Sequence, residues 1–368
     1  MVTDKCKRFH FCFDLHFMFA TFDVMKQRQS PRKSAPGIVD VARRAGVSTA
    51  TVSRFFNNPE MVRVETRASI ESASRELGYI RDRMAGAMHS QFSGSVGLIV
   101  PTINNAIFSG LIEAFANRLI EHDRTMLIAC HNYDLDLEVS LVRSLLERRI
   151  EGVAIVGEDH RDGLLDILQK RDVPVVALWG HGKRTSIPFI GADNSLAAAK
   201  VTRHLLDLGH RDVAFLFPDT HNNDRARERF EGAMDAMAQA GISVPEHRLI
   251  DCPYDVASAK SIAVQLLQSN APTAIVCGND VIAHGVLYAA MQSAIPVPER
   301  LSVVGIGDFA GSEEIYPGLT TVRIPAQQIG KMAADSLVQL ILHDAPVPFE
   351  SQVLETKLVV RGSTSGLS

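Results

Sequence analysis

The sequence predicts a small all-helical domain near the N-terminus, followed by a large α/β domain built on parallel sheets. Two patterns carry this prediction. Residues 38–77 contain short stretches of helical periodicity separated by glycine, whereas short apolar runs alternate with amphipathic stretches from residue 94 onward. Strands that alternate with helices form parallel sheets covered by helices. A length of 368 residues suits two or three such domains.

Three short helices are predicted in the first domain, over residues 38–45, 49–56 and 65–77. Gly46 permits a left-handed turn after the first helix, and Gly78 ends the third. The expected common core consists of Val41, Ala45, Val47, Val52, Phe55 and Ile70. A domain of about 50 residues with so small a core lies at the low end of independent stability.

The second domain alternates predicted strands with predicted helices. The strands are predicted over residues 96–100, 125–130, 153–156, 173–178, 213–217, 274–277 and 301–306. The helices that lie between them include residues 109–123, 136–149, 195–208, 224–240 and 280–292. So long an alternation predicts either one large sheet or two lobes, with ligands beyond the carboxyl ends of the strands.

Charge is distributed unevenly along the chain. Residues 26–89 hold 12 Lys/Arg against 6 Asp/Glu, whereas residues 90–368 hold 23 against 33. A basic head on an acidic body favours a nucleic-acid contact at the N-terminal end.

The cysteines and the first residues of the chain limit which classes of protein the sequence can belong to. The five cysteines show no C-x-x-C pair and no zinc-like spacing, so we expect neither disulfides, nor a metal, nor a cofactor, and a reducing cytoplasm as the location. The apolar run over residues 9–19 is too short and too polar to span a bilayer, and it lacks the cleavage pattern of a signal peptide. We therefore expect no membrane partner, and Met25 as the natural start.

The segment over residues 38–57 has the properties of two helices joined by a tight turn. Ser48 is a good N-cap for the second helix, and Val52 anchors that helix inward. Residues 40–54 read D-V-A-R-R-A-G-V-S-T-A-T-V-S-R. This closely resembles the helix-turn-helix of the lac repressor/galactose repressor family of bacterial regulators, and the likeness continues to residue 364. The resemblance implies double-stranded operator DNA as a partner.

Position by position, the resemblance places the family's base-reading residues on Thr49, Ala50 and Arg54. Arg54 alone can make a bidentate contact, to guanine O6 and N7, whereas Ala50 can at most touch a thymine methyl. The remaining polar side chains of the motif are assigned to phosphate contacts and helix ends. They are Ser48, Thr51, Ser53 and Asn57.

After the third helix, family members carry a hinge that becomes helical on the operator and inserts a leucine into the minor groove. Met88 stands at that position, and an unbranched apolar side chain can still wedge between base steps. The chain departs from the family at Arg81 (usually Pro), Asp82 (usually Asn) and Gly86 (often Arg). The alternative interpretation is that Met84 and Met88 are core residues four positions apart.

For the large domain the resemblance implies two lobes of the periplasmic-binding-protein type (type I), with a small-molecule effector between them. Three segments are expected to cross between the lobes, near residues 193–194, 308–309 and 346–349. The family's pocket positions fall on Phe108, Trp179, Asn223, Arg225, Arg229, Tyr254 and Asp280.

The composition of this pocket predicts the chemistry of the effector. Asp280 follows an apolar run at a helix start, where a carboxylate gains from the helix dipole and can accept hydroxyl hydrogen bonds. Two arginines, Arg225 and Arg229, against one carboxylate leave an excess of positive charge. The hypothesis is therefore a hydroxylated acid, such as a sugar acid, ahead of a neutral sugar. The alternative is that Arg225 points to solvent and pairs with Asp224 or Glu228, which would remove this excess.

Other functional classes fit less well. Residues 305–310 mimic a dinucleotide fingerprint, but no acidic residue follows at the required distance, and no catalytic constellation stands out, so no enzyme is predicted. The alternative class is a solute-binding protein of a transport system. The prediction is a ligand-controlled regulator, a repressor by resemblance, that binds a pseudo-palindromic operator as a homodimer. Its expected parts are an extension (1–36), the helix-turn-helix domain (37–78), the hinge (79–93) and the effector-binding and dimerisation domain (94–364).

Overall fold

The structure, a computed structural model, describes residues 35–81, 93–182, 187–343 and 351–367. The chain divides into two compact units, residues 1–89 and 90–368. The extension with its expected start at Met25, and the hinge from Asp82 to Phe92 with Met84, Gly86 and Met88, lie outside the described residues.

In the first unit, residues 35–81 form three α-helices: α1 (Ile38–Ala45), α2 (Thr49–Asn57) and α3 (Val64–Leu77). Gly46 ends α1 in the left-handed conformation, with φ of 70°, as the tight turn requires. Val41, Val52 and Ile70 are fully buried at the centre of the three helices. The other predicted core residues, Ala45, Val47 and Phe55, are partly buried against this centre.

The second unit alternates strands and helices. Its strands are β1 (Ser95–Val100), β2 (Thr125–Cys130), β3 (Gly152–Val156), β4 (Val175–Trp179), β5 (Phe189–Ala192), β6 (Val213–Phe217), β7 (Leu249–Asp251), β8 (Ala274–Cys277), β9 (Ser302–Gly307), β10 (Thr320–Arg323), β11 (Gln352–Leu354) and β12 (Lys357–Val359). Its helices are α4 (Ser109–Glu121), α5 (Leu135–Glu147), α6 (Leu164–Lys170), α7 (Asn194–Asp207), α8 (Asp224–Gln239), α9 (Val256–Ser269), α10 (Asp280–Gln292) and α11 (Ala326–Leu342).

These strands form two sheets of six, so the alternation produces two lobes rather than one large sheet. The strand order is β11-β5-β4-β3-β1-β2 in the first lobe and β12-β10-β9-β8-β6-β7 in the second. All neighbours pair in parallel except β10 and β12. In each lobe the carboxyl ends of the parallel strands therefore lie along one edge, where ligands of such sheets bind.

Helices cover both sheets and divide the core accordingly. In the first lobe α4 packs on α11, and in the second lobe α7 packs on α8 while α9 packs on α10. One buried apolar cluster runs through both lobes, including Phe115 in the first and Phe215 in the second. The outer face of each sheet has a separate cluster.

The chain crosses between the lobes at three places in the described residues, and one was predicted correctly. β5 belongs to the first sheet and α7 packs in the second lobe, so the first crossing lies at Asp193–Asn194 as predicted. The prediction at Asp308–Phe309 is wrong, because β9 and β10 flank that loop within one sheet. The crossing lies instead at Ile324–Pro325, before α11. The third lies at Glu355–Thr356, between β11 and β12, rather than at residues 346–349, which fall outside the described residues.

The predicted elements agree with the structure to within about two residues at their ends, the usual uncertainty of such boundaries. The sequence missed the strands β5, β7, β10, β11 and β12 and the helices α6, α9 and α11. None of the helices in the described residues is long and apolar enough to cross a membrane.

Candidate functional site

The second helix of the first unit presents a polar face to solvent. Ser48 caps this helix, because its hydroxyl accepts a hydrogen bond from the amide of Thr51 at 3.1 Å. Val52 points into the core, whereas Thr49, Ala50 and Arg54 are exposed. The guanidinium of Arg54 makes no hydrogen bond or ion pair with residues 35–81. The three predicted base-reading residues are therefore all exposed to solvent on α2, and their contact with DNA stays a prediction.

The predicted phosphate contacts have partners within the helix. The hydroxyls of Ser48 and Thr51 lie 2.9 Å apart, and the amide of Asn57 donates to the hydroxyl of Ser53 at 3.4 Å. Arg81, which stands where the family has Pro, donates to the carbonyl of Phe56 at 2.6 Å and to the side chain of Asn57. This departure therefore has a structural role, since Arg81 satisfies a carbonyl that the end of α2 leaves without a partner. Met88 lies outside the described residues.

In the second unit the predicted aromatic pair is buried at the carboxyl end of β4. The rings of Phe108 and Trp179 meet edge to face with centroids 5.3 Å apart. Trp179 is 1% exposed and has a φ of 75°, a conformation that is strained for an aromatic residue. Its indole Nε1 has no hydrogen-bond partner among the described residues. A strained residue with a buried donor left unused is typical of a binding site.

Arg225 is buried and paired, which removes the basis for the predicted excess of positive charge. Its guanidinium lies 2.6 Å from a carboxylate oxygen of Asp224 and 3.3 Å from the side-chain oxygen of Asn223. The other oxygen of Asp224 accepts the amide of Glu158, in the opposite lobe, at 2.6 Å. Burial alone would raise the pKa of Asp224, but Arg225 and the amide hydrogen bonds hold it below its usual value. The predicted acid effector loses its main argument.

Arg229 connects the first crossing to the second sheet. Its Nε donates to the side-chain oxygen of Asn194 at 2.9 Å, and its NH1 donates to the carbonyl of Gly278 at 3.0 Å. Burial lowers the pKa of Arg229, and the nearby positive charge of Arg225 acts in the same direction. Arg229 thus has a structural function, whatever it contributes to a ligand.

Asp280 lies at the predicted strand end, but its oxygens are already occupied. They accept the amide of Phe309 at 3.1 Å and the hydroxyls of Ser312 and Thr321 at 2.7 and 2.6 Å. Complete burial raises the pKa of Asp280, and these three hydrogen bonds oppose the rise. Asp280 therefore holds the loop after β9, and its contact with effector hydroxyls stays a prediction.

Tyr254 contacts the opposite lobe. Its ring stacks on Tyr133, which follows β2, with centroids 6.4 Å apart and planes inclined by 29°. Burial raises the pKa of Tyr133, so its hydroxyl stays protonated. Five of the predicted effector residues thus form three groups: the ring pair of Phe108 and Trp179, the polar pair of Asn223 and Arg225, and Tyr254 in this stack. Arg229 and Asp280 have the separate contacts described above.

Several polar residues of the cleft between the lobes were missed. His131 follows β2, Glu158 and His160 follow β3, and His181 follows β4. Glu138, in the first turn of α5, accepts the Nδ1 of His160 at 3.0 Å. Their position directly after strands was the available signal, because parallel sheets bind ligands at that edge.

A separate cavity of about 630 Å³ opens between the lobes beside the second crossing. Its lining includes Glu113, Asp308, Arg323, Gln327 and Arg361. Asp308 pairs with Arg323 at 2.5 Å and with Arg361 at 2.7 Å. None of the seven predicted effector residues lines this cavity.

Known proteins resemble the chain over most of its length. The HTH-type transcriptional repressor PurR of Serratia proteamaculans (strain 568) is 30% identical over 334 residues, which cover 89% of this chain and 96% of the relative. The PurR repressor of Proteus mirabilis (strain HI4320) gives the same identity and the same coverage.

Solved structures share the fold. A LacI-family regulator from Silicibacter pomeroyi superposes with a TM-score of 0.80 at 24% identity, over 89% of this chain and 99% of that one. The lac repressor dimer bound to operator and the anti-inducer ONPF gives 0.79 at 25% identity, over 90% and 100%. The transcriptional regulator CelR in complex with cellobiose gives 0.64 at 26% identity, over 89% and 99%.

Family profiles match both units. The periplasmic-binding-protein-like domain matches residues 202–364, and the profile described as bacterial regulatory proteins, lacI family, matches residues 37–82. These relatives are transcription regulators rather than enzymes. The chain belongs to the lacI family of bacterial regulatory proteins.

Proposed function

We propose that this protein is a repressor that binds a pseudo-palindromic operator as a homodimer and responds to a small molecule held between its lobes. The observation that carries the proposal is the exposed face of α2, where the guanidinium of Arg54 has no partner among residues 35–81. An arginine in the first two turns of a recognition helix is placed to read guanine in the major groove. The match of residues 37–82 to a DNA-binding domain favours a regulator over a solute-binding protein.

The dimer follows from the need for specificity. One recognition helix with a single bidentate contact discriminates too few base pairs, and two half-sites multiply that discrimination. The lac repressor, which shares this fold, is a dimer in its operator complex. Sedimentation of the full chain at micromolar concentration tests this point, and a stable monomer on a palindromic site contradicts it.

The paired charges of the cleft favour a neutral effector over an acid. Arg225 is neutralised by Asp224, and Arg227 pairs with Asp159 at 2.8 Å. Arg229 is held by an amide oxygen and a carbonyl. An anionic ligand would have to displace one of these contacts, whereas a neutral ligand would not.

The DNA proposal is tested by selecting bound sites from a random DNA library with the full chain. We expect recovered sites with dyad symmetry. Arg54→Ala should cost about 1–3 kcal/mol on the selected operator and relax the preference at one base position in each half-site.

The matched control is Arg43→Ala, which removes an exposed positive charge on α1 that pairs with Asp40 at 3.1 Å. It should weaken operator and random DNA to a similar, small degree, because it removes charge and no base contact. Equal losses on operator and random DNA for Arg54→Ala would contradict the base-reading role.

A further inference from the structure

Three histidines of the first lobe, His131, His160 and His181, are buried at the carboxyl edge of its sheet with ring nitrogens that lack hydrogen-bond partners in the described residues, and the first two lie near Glu138. His131 directly follows β2 and is 3% exposed, and neither of its ring nitrogens has a hydrogen-bond partner in the described residues. The side chain of His160, after β3, is 6% exposed, and its Nε2 lacks a partner as well. Buried polar atoms are nearly always hydrogen-bonded, so these three nitrogens need a group that residues 35–81, 93–182, 187–343 and 351–367 do not supply.

Glu138 fixes the orientation and the chemistry of His160. Both oxygens of this carboxylate lie 3.0–3.1 Å from Nδ1 of the ring, so Nδ1 carries a proton and donates it. In the neutral ring, Nε2 is then an acceptor. The arrangement resembles the carboxylate–histidine pairs in which one ring nitrogen is held by the protein while the other is presented to a ligand.

His131 supplies one donor and one acceptor. Burial lowers its pKa despite the nearby carboxylate of Glu138, and the positive charge of Arg225 acts in the same direction as burial. The ring is therefore neutral near pH 7, with one N–H and one lone pair. Its ring centroid lies 6.4 Å from that of Tyr133, whose ring stacks on Tyr254 of the other lobe. His131 thus lies where the two lobes meet.

A second buried histidine shows how this chain treats a purely structural imidazole. His210 is also 3% exposed, but its Nδ1 lies 3.0 Å from the hydroxyl of Thr273. Its Nε2 lies 3.0 Å from the hydroxyl of Ser302 and 3.0 Å from the carbonyl of Ser365. Equal burial with complete hydrogen bonding distinguishes His210 from His131.

We propose that His131 and His160 form a subsite that binds a neutral edge of the effector carrying at least one O–H or N–H donor and one acceptor. This inference rests on the proposed effector response of the protein. The donor of the ligand meets Nε2 of His160, and His131 completes the edge with its own donor and acceptor. Vicinal hydroxyls of a sugar and the edge of a heterocyclic base both present this chemistry.

The first test measures thermal unfolding of the ligand-free full chain. His131→Phe and His131→Leu remove ring nitrogens that have no partner, so neither variant should lower the unfolding midpoint. His210→Phe breaks complete hydrogen bonding at equal burial and should lower the midpoint by several degrees. The proposal is overturned when both His131 variants fail to fold or lose as much as His210→Phe, because His131 would then be a structural residue.

The second test measures thermal stabilisation by defined probes, which are D-ribose, cellobiose and adenine, with D-ribonate and cellobionate as the matched acids. At least one neutral probe should raise the midpoint of the wild type, by an amount that grows with its concentration. His131→Phe should abolish this rise and His210→Phe should retain it. A response to sugars and not to adenine, or the reverse, identifies which source of the shared chemistry is bound.

Stabilisation by the acids alone, by none of the neutral probes, or to the same extent in His131→Phe overturns the proposed subsite. Binding of the selected operator by the wild type is measured in parallel without any probe. Loss of that binding would contradict the proposed function, whereas the histidine variants decide this inference.

Discussion

Replacing Asp280 by Ala separates a structural carboxylate from a ligand contact. The substitution leaves the amide of Phe309 and the hydroxyls of Ser312 and Thr321 without their buried acceptor. Each buried donor left without a partner costs about 1–3 kcal/mol, but removal of a buried charge returns part of its desolvation penalty. We therefore expect the free energy of unfolding to fall by about 2–5 kcal/mol, a large share of the stability of an ordinary domain.

The assay is urea unfolding of the ligand-free protein, followed by the fluorescence of Trp179, the single tryptophan of the chain. Asp280→Asn keeps one acceptor oxygen and should fall between the wild type and the Ala variant. The control is Asp255→Ala, which removes another carboxylate at a helix start, one that caps its own helix by accepting the amide of Ser258 at 2.8 Å, with an expected loss of about 0.5–2 kcal/mol. Unfolding of Asp280→Ala at the same urea concentration as the wild type would refute the structural assignment and restore Asp280 as a candidate effector contact.

Three further predictions concern a hydrogen bond at the end of α2, an ion pair between the lobes and the burial of histidines. Arg81→Ala removes the hydrogen bonds that close the end of α2, so affinity for the selected operator should fall about threefold to tenfold in fluorescence anisotropy titrations, and unchanged affinity would contradict this. Arg227→Asp places a negative charge opposite Asp159 of the other lobe and should lower the unfolding midpoint. Adding Asp159→Arg to this variant should restore part of the loss, and no recovery in the double variant would argue against the ion pair. Burial also lowers the pKa of four histidines in the described residues, so below about pH 6.5 the unfolded chain binds more protons than the folded one. The free energy of unfolding, measured by urea titrations at several pH values, should therefore fall as the pH drops. An unfolding free energy that stays constant between about pH 7.5 and 5.5 would count against this. These histidines are His131, His204, His210 and His284.

Most of the strands that the sequence predicted are continuous buried apolar runs, although β2, an apolar run at a sheet edge, was predicted without being buried. β3 and β8 are buried at every position, so hydrophobicity alone marks them. The missed strands are short and lie near the edges of the sheets, where burial is incomplete. β11, for example, has two exposed residues out of three, and it pairs with β5 across a large separation in sequence. Its pairing depends on tertiary contacts that no local pattern records.

The sequence predicted where the site residues lie in the fold, but it did not predict which groups they contact. Strand ends in parallel sheets identify where a ligand binds, and this placed Asp280 correctly after β8, whereas Trp179 was named by the family resemblance alone. Whether a polar side chain there faces a ligand or the protein depends on its neighbours. Asp280 meets donors from the loop after β9 and from β10, 29 to 41 residues later in the chain, which the sequence does not bring together by any motif.

Asn194 shows how the first crossing can transmit a change at the effector site. Its amide donates to the carbonyl of Trp179 at 3.1 Å, and its oxygen accepts Nε of Arg229 at 2.9 Å. The fully buried side chain of Asn194 therefore connects Trp179, at the strained end of β4 in the first lobe, to Arg229 on α8 in the second lobe. Because the interior is close-packed, a ligand that relaxes the backbone at Trp179 must displace this amide and with it Arg229. This connection would couple the lobes only for a ligand that contacts Trp179 differently in two states of the protein.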